Sequence, residues 1–433
     1  MKKVAIQTLG CRTNQLESSI IADKFNICGW QVVKFSDIAD IYIINTCAVT
    51  GKSDASSRYF ARKAKKTNPD AKIILAGCYP QTAPEETAKI DGVDLILGNI
   101  EKLDIPELLS REDIWGGVYV SDIMREEQFR DKTVTSASGR VRANIKIQDG
   151  CSHRCSYCII PYARGKSRSS KLSDIINQIR GIIDKGFNEI VLTGIHLGQW
   201  GLDFNPKNSL INLLKELEAI KELKRYRLSS LDPSEITDEL IELLANSDKF
   251  CRHLHISLQS GNAEVLKAMR RRYTVEEYSE LINKLVEKIP FINIGSDIIA
   301  GFPGETDEHF EDTYKNLKTL PIGYIHVFTY SKRKGVPAAS MPEQVDEKIK
   351  KQRNAKLTEL TAEKNMEFRK KLVGQEFEII VENSRCRKTG LLKGMTDNFI
   401  PVLVEGSDKL KNQPVKIKIT SVVKEGAFGI LAI

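Results

Sequence analysis

The chain has 433 residues, 41% hydrophobic and 28% charged, a composition that suits soluble globular material of about three domains. The 65 Lys and Arg against 57 Asp and Glu give a formal charge of +8, which fits a nucleic-acid partner without requiring one. No run reaches the roughly 20 apolar residues of a membrane helix, MKKVAIQTLGC is no signal peptide, and nine cysteines then argue for metal ligation in a reducing, cytoplasmic setting, away from membranes and disulfide frameworks.

Residues 1–135 read as an open parallel α/β domain. VAIQTLG runs into Cys11, IYIINT into Cys47 and KIILAG into Cys78, and each short apolar run precedes a helical stretch, the pattern of buried parallel strands in βα units. Parallel strands place their C-terminal ends on one sheet edge, where open α/β folds bind ligands. Three cysteines far apart in sequence are therefore expected to converge. Cys28, Cys251 and Cys386 lack such positions and read as structural.

Residues 136–372 alternate again, with strands expected over 143–149, 189–194, 225–230, 253–258, 293–299 and 324–330. LSDIINQIRGIIDKG, with Leu172, Ile175, Ile176, Ile179 and Ile183 at helical spacing, is one of the connecting helices. Six such units suggest a partial (β/α)6 barrel with functional groups at the C-terminal strand ends. The first strand runs into GCSHRCSYC. Cys151, Cys155 and Cys158 lie within eight residues and can grip three corners of a cubane iron–sulfur cluster, leaving one iron open. A zinc site would need a fourth ligand that no further Cys or suitably spaced His supplies, although His153 lies inside the triplet. The other strand ends present Thr193, Gly194 and His196, then Ser229 and Ser230, then Ser257 and Gln259, then Asp297 and Gly301. His253 and His255 fall within a strand and suit core or supporting roles better than metal binding. GFPGET lacks the lysine of a phosphate-binding loop.

Residues 343–372 form a charged, helix-competent connector, and 373–433 turn to short strands with Gly-rich turns, a small antiparallel β-barrel. Nine Lys and Arg against seven Asp and Glu in that last segment do not by themselves make it an RNA binder. Two basic stretches offer phosphate contacts: Arg58, Arg62 and Lys65 on one helical face, and Arg164, Lys166, Arg168 and Lys171 with no intervening acid.

TLGCRTNQLES, INTCAVT, AGCYPQ, IQDGCSHRCSYCIIPYARG, RLSSLDP, HLHISLQSG and DIIAGFPGET together resemble the radical S-adenosylmethionine (SAM) methylthiotransferases over essentially the whole chain. The resemblance implies two [4Fe–4S] clusters, an auxiliary one on Cys11, Cys47 and Cys78 that carries sulfur and a radical-generating one on Cys151, Cys155 and Cys158 that binds SAM. It implies a SAM site at the strand ends, with Thr193, Gly194, His196, Ser229, Ser257, Gln259, Asp297 and Gly301 as candidates. The C-terminal barrel would be a TRAM RNA-binding domain. The reaction would replace an unactivated C–H by C–SCH3.

The motifs GCRTNQ, NTCAVTGKSDASSR and YSKRKGVPAASMPEQV are most similar to the branch acting on threonylcarbamoyladenosine beside the tRNA anticodon. Isopentenyladenosine in tRNA or an aspartate of a ribosomal protein are the alternative substrates. The carboxylate of the threonylcarbamoyl group would draw cations, with Arg12, Lys52, Arg333 and Lys334 the candidates. The expected partners are a tRNA anticodon stem-loop, an electron donor such as a flavodoxin or ferredoxin, and a sulfur donor. Readings of another class are a two-cluster electron carrier, or an RNA-binding regulator with a structural cluster.

Overall fold

The computed structural model describes residues 1–130 and 141–432, so the expected domain boundary at 135/136 lies outside the described residues. The chain folds into two compact units: Met1–Ala137 with Gln148–Ser169 and Ser331–Ser340, and Ser138–Ile147 with Ser170–Tyr330 and Met341–Ile433. The two units interleave along the chain. The triplet-bearing segment packs with the N-terminal fold, whereas the connector and the C-terminal barrel pack with the central strands. Among the described residues, no helix is long and apolar enough to cross a membrane.

The first unit is built on a parallel sheet of β1 (Lys3–Thr8), β2 (Gln31–Val33), β3 (Ile41–Thr46), β4 (Lys72–Gly77), β5 (Leu95–Leu97) and β6 (Val118–Tyr119), in the order β2-β1-β3-β4-β5-β6. Sequence reading found β1, β3 and β4, which are six residues each; the others are only two or three residues long. Helix α1 (Arg12–Ile27) sends Ile21 and Phe25 onto one face against Ile43 and Ile74. Helix α2 (Gly51–Thr67) covers the other with Ala61 and Ala64, small residues that allow close approach to Tyr42 and Ile44. A sheet covered on both faces explains why IYIINT is buried at every position. The chain order reverses between β1 and β3, so the crevice between their C-terminal ends is the position where open α/β folds bind ligands.

In the second unit β7 (Arg142–Lys146) opens a run of parallel strands; the short β8 (Gln148–Asp149) and β9 (Arg168–Ser169) that follow it in sequence form an antiparallel pair within the first unit. β10 (Glu189–Thr193) and β11 (Arg225–Leu228) complete the sheet β11-β10-β7, and β12 (His253–His255), β13 (Asn293–Ala300) and β14 (Tyr324–Thr329) form a second. Parallel bridges Tyr226–Phe250 and Leu231–Ile256 join the two into the expected open six-strand barrel. Strand alternation sorts its chemistry. Ile145, Ile190, Leu192, Tyr226, Leu228, Leu254, Ile256, Ile294 and Ile298 point out into one apolar core shared with the surrounding helices. The intervening positions, among them Glu189, Arg225, Arg227, His255, Asp297 and His326, face the lumen.

The expected connector is the helix Glu347–Lys370. Beyond it β15 (Glu376–Val381), β16 (Leu392–Thr396), β17 (Pro401–Val404), β18 (Pro414–Val423) and β19 (Gly426–Leu431) close in the order β15-β16-β17-β19-β18. The expectation of an antiparallel barrel holds except for β17 and β19, which run parallel. This barrel sits on the N-terminal ends of the central strands. Arg225 donates to the carbonyls of Glu378 (3.2 Å) and Met395 (3.0 Å), and Arg227 to those of Asp397 (2.8 Å) and Thr396 (3.2 Å). Both guanidiniums, with Arg142, surround the fully buried Glu189. Phe399 lies under Arg227 at 5.2 Å and against His253 at 4.6 Å.

Candidate functional site

The C-terminal ends of β1, β3 and β4 are adjacent, and each delivers a cysteine. Cys11 is the N-cap of α1, Cys47 follows β3 directly, and Cys78 opens the short helix α3 (Cys78–Thr82). Gly10, at φ +87°, shapes the crevice: a methyl there would stand 2.7 Å from Cys47 Cβ and 2.8 Å from its Sγ. Burial pushes the Cys47 thiol up to about 11, with the charge of Cys78 and, less strongly, of Cys11 adding to it. Cys47 thus lies near enough to Cys78 and Cys11 to feel both, in a cradle kept clear by glycine, and the three form a donor set that a cationic iron centre would relieve. The residues fit such a group.

Polar side chains hold these strand ends in register. Asn14 Nδ2 donates to the carbonyls of Leu9 (2.8 Å) and Thr46 (2.7 Å), and Asn45 Nδ2 to Asn14 O (3.0 Å) and Ser18 Oγ (2.9 Å). Asn99 Nδ2 bridges Cys78 Sγ (3.5 Å) and the carbonyl of Ala163 (2.7 Å).

The triplet segment is anchored at both ends. β8 and β9 pair, Cys151 N donates to Gly165 O (3.0 Å), and a methyl at Gly150 would meet Lys166 O at 2.0 Å. Between them Cys151, Cys155 and Cys158 are half-buried, with Cys158 N turned back to Cys155 O at 3.1 Å. Ile159 and Ala163 of the following turn pack on Ala48, Cys78 and Val336, which seats the triplet segment on the cysteine-bearing sheet edge. None of the nine cysteines, all among the described residues, is in a disulfide. Three half-exposed thiols on a tightly closed loop again fit an iron–sulfur ligand set.

Below that contact lies a buried ion network that sequence reading missed. Arg164 Nη1 donates to Glu17 Oε1 and Asp149 Oδ1, both at 2.9 Å, and its Nη2 to Glu17 Oε2 (2.9 Å) and Asn14 Oδ1 (2.6 Å). Lys102, itself fully buried, reaches Glu17 Oε2 at 2.6 Å. Burial works against the Arg164 charge, but Glu17 and Asp149 overcome it and hold the guanidinium well above its ordinary value. Arg164 is therefore structural, correcting its expected role as a phosphate contact. Arg168 is corrected likewise: it is buried, donates to the carbonyls of Glu126 and Lys166, and lies 3.7 Å from Asp149.

Of the other cationic candidates, Lys52, Arg62, Lys166 and Lys334 are exposed, as is Lys171. Arg12 is half-buried. Arg58 is held by Tyr79 Oη (2.9 Å) and Glu86 (3.6 Å), and Arg333 is paired with Asp54 at 2.6 Å, which neutralises it. Lys65 caps the carbonyl of Ala71 at 3.2 Å.

In the second unit the SAM candidates lie at the C-terminal mouth of the barrel as expected, though their environments differ. Ser229 Oγ is buried without a protein partner, and Gln259 sits at φ 71°, a left-handed conformation uncommon outside glycine. Ser257 Oγ donates to Asp297 Oδ2 at 2.9 Å. Thr193 turns its hydroxyl back to Val191 O (3.4 Å), and His196 Nε2 lies 2.6 Å from Glu235. The need for glycine at 301 is local: at φ +76° a methyl would meet Lys350 Cγ at 2.3 Å. Gly194 lies at the barrel mouth, half-buried. Buried Cys251 is pushed up to about 12 by desolvation, consistent with a structural thiol.

An open six-strand parallel barrel and a half-exposed C-x3-C-x2-C loop define a radical SAM protein. Residues 145–317 match the radical SAM superfamily, and residues 3–98 match the Uncharacterized protein family UPF0004. A solved radical SAM methyltransferase, TsrM from Kitasatospora setae, shares the fold with a TM-score of 0.57 at 16% identity, over 78% of this chain and 77% of that one. The threonylcarbamoyladenosine tRNA methylthiotransferase MtaB of Bacillus subtilis is 41% identical over 427 residues, 97% of this chain and 94% of that protein. The MtaB of Aquifex aeolicus is 41% identical over 407 residues, 93% and 97% of the two chains. The tRNA-2-methylthio-N(6)-dimethylallyladenosine synthase of Carboxydothermus hydrogenoformans is 35% identical over 435 residues, 97% of each chain. The chain belongs to the radical SAM methylthiotransferase family, and as such uses SAM and a [4Fe–4S] cluster.

Proposed function

We propose that this enzyme methylthiolates tRNA, replacing the C2 hydrogen of N6-threonylcarbamoyladenosine beside the anticodon by SCH3. The observation that carries the substrate is the 41% identity, across nearly the whole chain, to relatives named for threonylcarbamoyladenosine, against 35% to the relative named for dimethylallyladenosine. Cys151, Cys155 and Cys158 would hold the radical-generating [4Fe–4S] cluster, and Cys11, Cys47 and Cys78 a second, auxiliary one. The convergence of three thiols at the switch of strand order, in the Gly10 cradle, supports the second assignment. When bound, the clusters and SAM supply one-electron chemistry able to open an unactivated C–H bond, and the sulfur that replaces the hydrogen.

The chain's own residues bind and orient. Gly10 leaves the space beside Cys47 Sγ clear, and Asn14, Asn45 and Asn99 fix the strand ends that carry the thiols. Ser229 and Ser257 offer hydroxyls, and Gln259 a strained backbone, for a SAM ribose or amino group. Lys52, Arg62, Lys166 and Lys334 supply phosphate and carboxylate contacts, with Arg12 beside Cys11. The target base would be flipped out of its stack to expose C2. Functional domains follow as 1–135 for the auxiliary cluster, 136–372 for radical chemistry and 373–433 as an RNA-binding TRAM barrel. A flavodoxin or ferredoxin would deliver electrons, a separate donor the sulfur, and the cytoplasm is where tRNA would be met.

The test is reconstituted enzyme with SAM, reductant and sulfide, offered tRNA carrying threonylcarbamoyladenosine, tRNA carrying isopentenyladenosine, and ribosomal protein. Nucleoside mass spectrometry should show the methylthio product from the first alone. Product from another substrate only would overturn the assignment.

A further inference from the structure

His255, Asp297 and His326 come from three neighbouring strands, β12, β13 and β14, and all face the barrel lumen. Asp297 pairs directly with His326 across β13 and β14, and His255 pairs with Gly295, one pleat before Asp297. His255 Nε2 lies 3.2 Å and His326 Nδ1 3.4 Å from the same oxygen, Asp297 Oδ1, and one ligand atom from each residue falls within 4.8 Å of the other two.

These separations suit a shared ion. Metal–nitrogen and metal–oxygen bonds of about 2.0–2.1 Å at tetrahedral angles put neighbouring ligand atoms about 3.3 Å apart. Orientation agrees with the distances. His255 is 8% exposed, and its buried Nε2 has Asp297 Oδ1 at 3.2 Å, a contact outside good hydrogen-bond geometry. The remaining atoms are held as metal ligands usually are. Ser230 Oγ lies 2.9 Å from His255 Nδ1; in the tautomer with the proton on Nδ1 this hydroxyl accepts a hydrogen bond from it and Nε2 is the lone-pair nitrogen. Ser257 Oγ donates to Asp297 Oδ2 at 2.9 Å, leaving Oδ1 for the shared point. The His326 side chain is 56% exposed, so one side of the group stays open.

We infer that His255, Asp297 and His326 form a divalent transition-metal site in the barrel lumen, with an open coordination position for an oxygen ligand. Two imidazoles and one carboxylate with open positions suit first-row ions such as Fe(II), Co(II) or Zn(II) better than the oxygen-preferring Mg²⁺ or Ca²⁺. The site uses none of the cysteines and departs from the supporting role that sequence assigns to His255. It does not depend on which nucleoside the enzyme modifies.

The test uses the full chain with its clusters reconstituted and oxidised, so that the cysteines are occupied. Titration with Co²⁺, followed by calorimetry and by the low-temperature electron paramagnetic resonance of high-spin Co²⁺, should give one site with nitrogen and oxygen ligation. His326→Ala, at a half-exposed position that the fold tolerates, should weaken Co²⁺ binding at least 30-fold with an unchanged thermal midpoint. Asp297→Asn should weaken it comparably, and His253→Gln, on the same strand, should leave it within threefold. No stoichiometric Co²⁺ site, or a site indifferent to His326→Ala, would overturn the proposal. Because the readout is ion binding, either result leaves the substrate assignment standing.

Discussion

Glu17→Gln should be the most damaging single conservative change in the N-terminal unit. Glu17 is 2% exposed and is the one carboxylate shared by Arg164, at 2.9 Å through both oxygens, and Lys102, at 2.6 Å. Neutralising it leaves two buried cations with only Asp149 facing Arg164. Breaking a buried pair costs about 3–5 kcal/mol, and here two pairs break, so the upper end, about 5 kcal/mol, is expected. Arg164→Met should cost less, about 3 kcal/mol, because Glu17 keeps Lys102 and Asp149 keeps Arg168 at 3.7 Å. The double variant should cost less than the two singles together by about 1.5 kcal/mol or more, since charge-assisted hydrogen bonds are lost only once. Hydrogen exchange of peptides from residues 148–169 in the full-length apoprotein reads the local opening energy under native conditions. Should both single variants cost below about 1 kcal/mol and add independently, the network is no clamp on the triplet segment.

Three further outcomes follow from the same geometry. Gly10→Ala puts a methyl 2.8 Å from Cys47 Sγ at φ +87°, so the reconstituted variant should lose roughly half its iron while retaining SAM cleavage, checked by iron assay and 5′-deoxyadenosine release. Glu189 is held below its ordinary value of 4.5: burial opposes ionisation, but Arg227, Arg225 and Arg142 prevail. Its contribution is thus full above about pH 4.5 and lost as pH falls through the lower folded value, so hydrogen exchange around 395–399 should rise on acidification, and Glu189→Gln should show that looseness already at neutral pH. Lys166→Ala should lower the salt dependence of tRNA binding by about one unit of log–log slope, whereas Arg168→Lys should leave that slope unchanged; the reverse pattern would restore Arg168 as a phosphate contact.

The convergence of Cys11, Cys47 and Cys78 on one sheet edge was legible because it rests on periodicity and placement. Continuous apolar runs ending at Cys11, Cys47 and Cys78 specify parallel strands, and parallel strands share an edge. What the sequence could not show is partnership at long range. Arg164 and Arg168 look like a basic surface run because their neighbours in sequence are basic, yet Arg164 faces Glu17, 147 residues away. Lys102 sits in a short charged turn that gives no local sign of burial. Asn14 and Glu17 lie inside TLGCRTNQLES, so a polar residue recurring at helical spacing beside Cys11 was the available signal. β2, β5 and β6 are too short for any period to register.

The barrel carries its own argument for a polar occupant. An eight-strand barrel fills its interior with apolar layers, but here six strands send Glu189, Arg225, Arg227, His255, Ser257, Asp297 and His326 inward. In the lower layer Arg225 and Arg227 reach carbonyls of the C-terminal barrel and Phe399 stacks beneath. The upper layer has no such cover: Ser229 Oγ is buried without a protein partner, and His255 Nε2 has Asp297 Oδ1 at 3.2 Å, outside good hydrogen-bond geometry. Buried polar groups are normally paired, so the unpaired ones mark where ligand atoms belong. Ser229 and His255 lie toward the C-terminal mouth, on the side opposite the RNA-binding candidate domain.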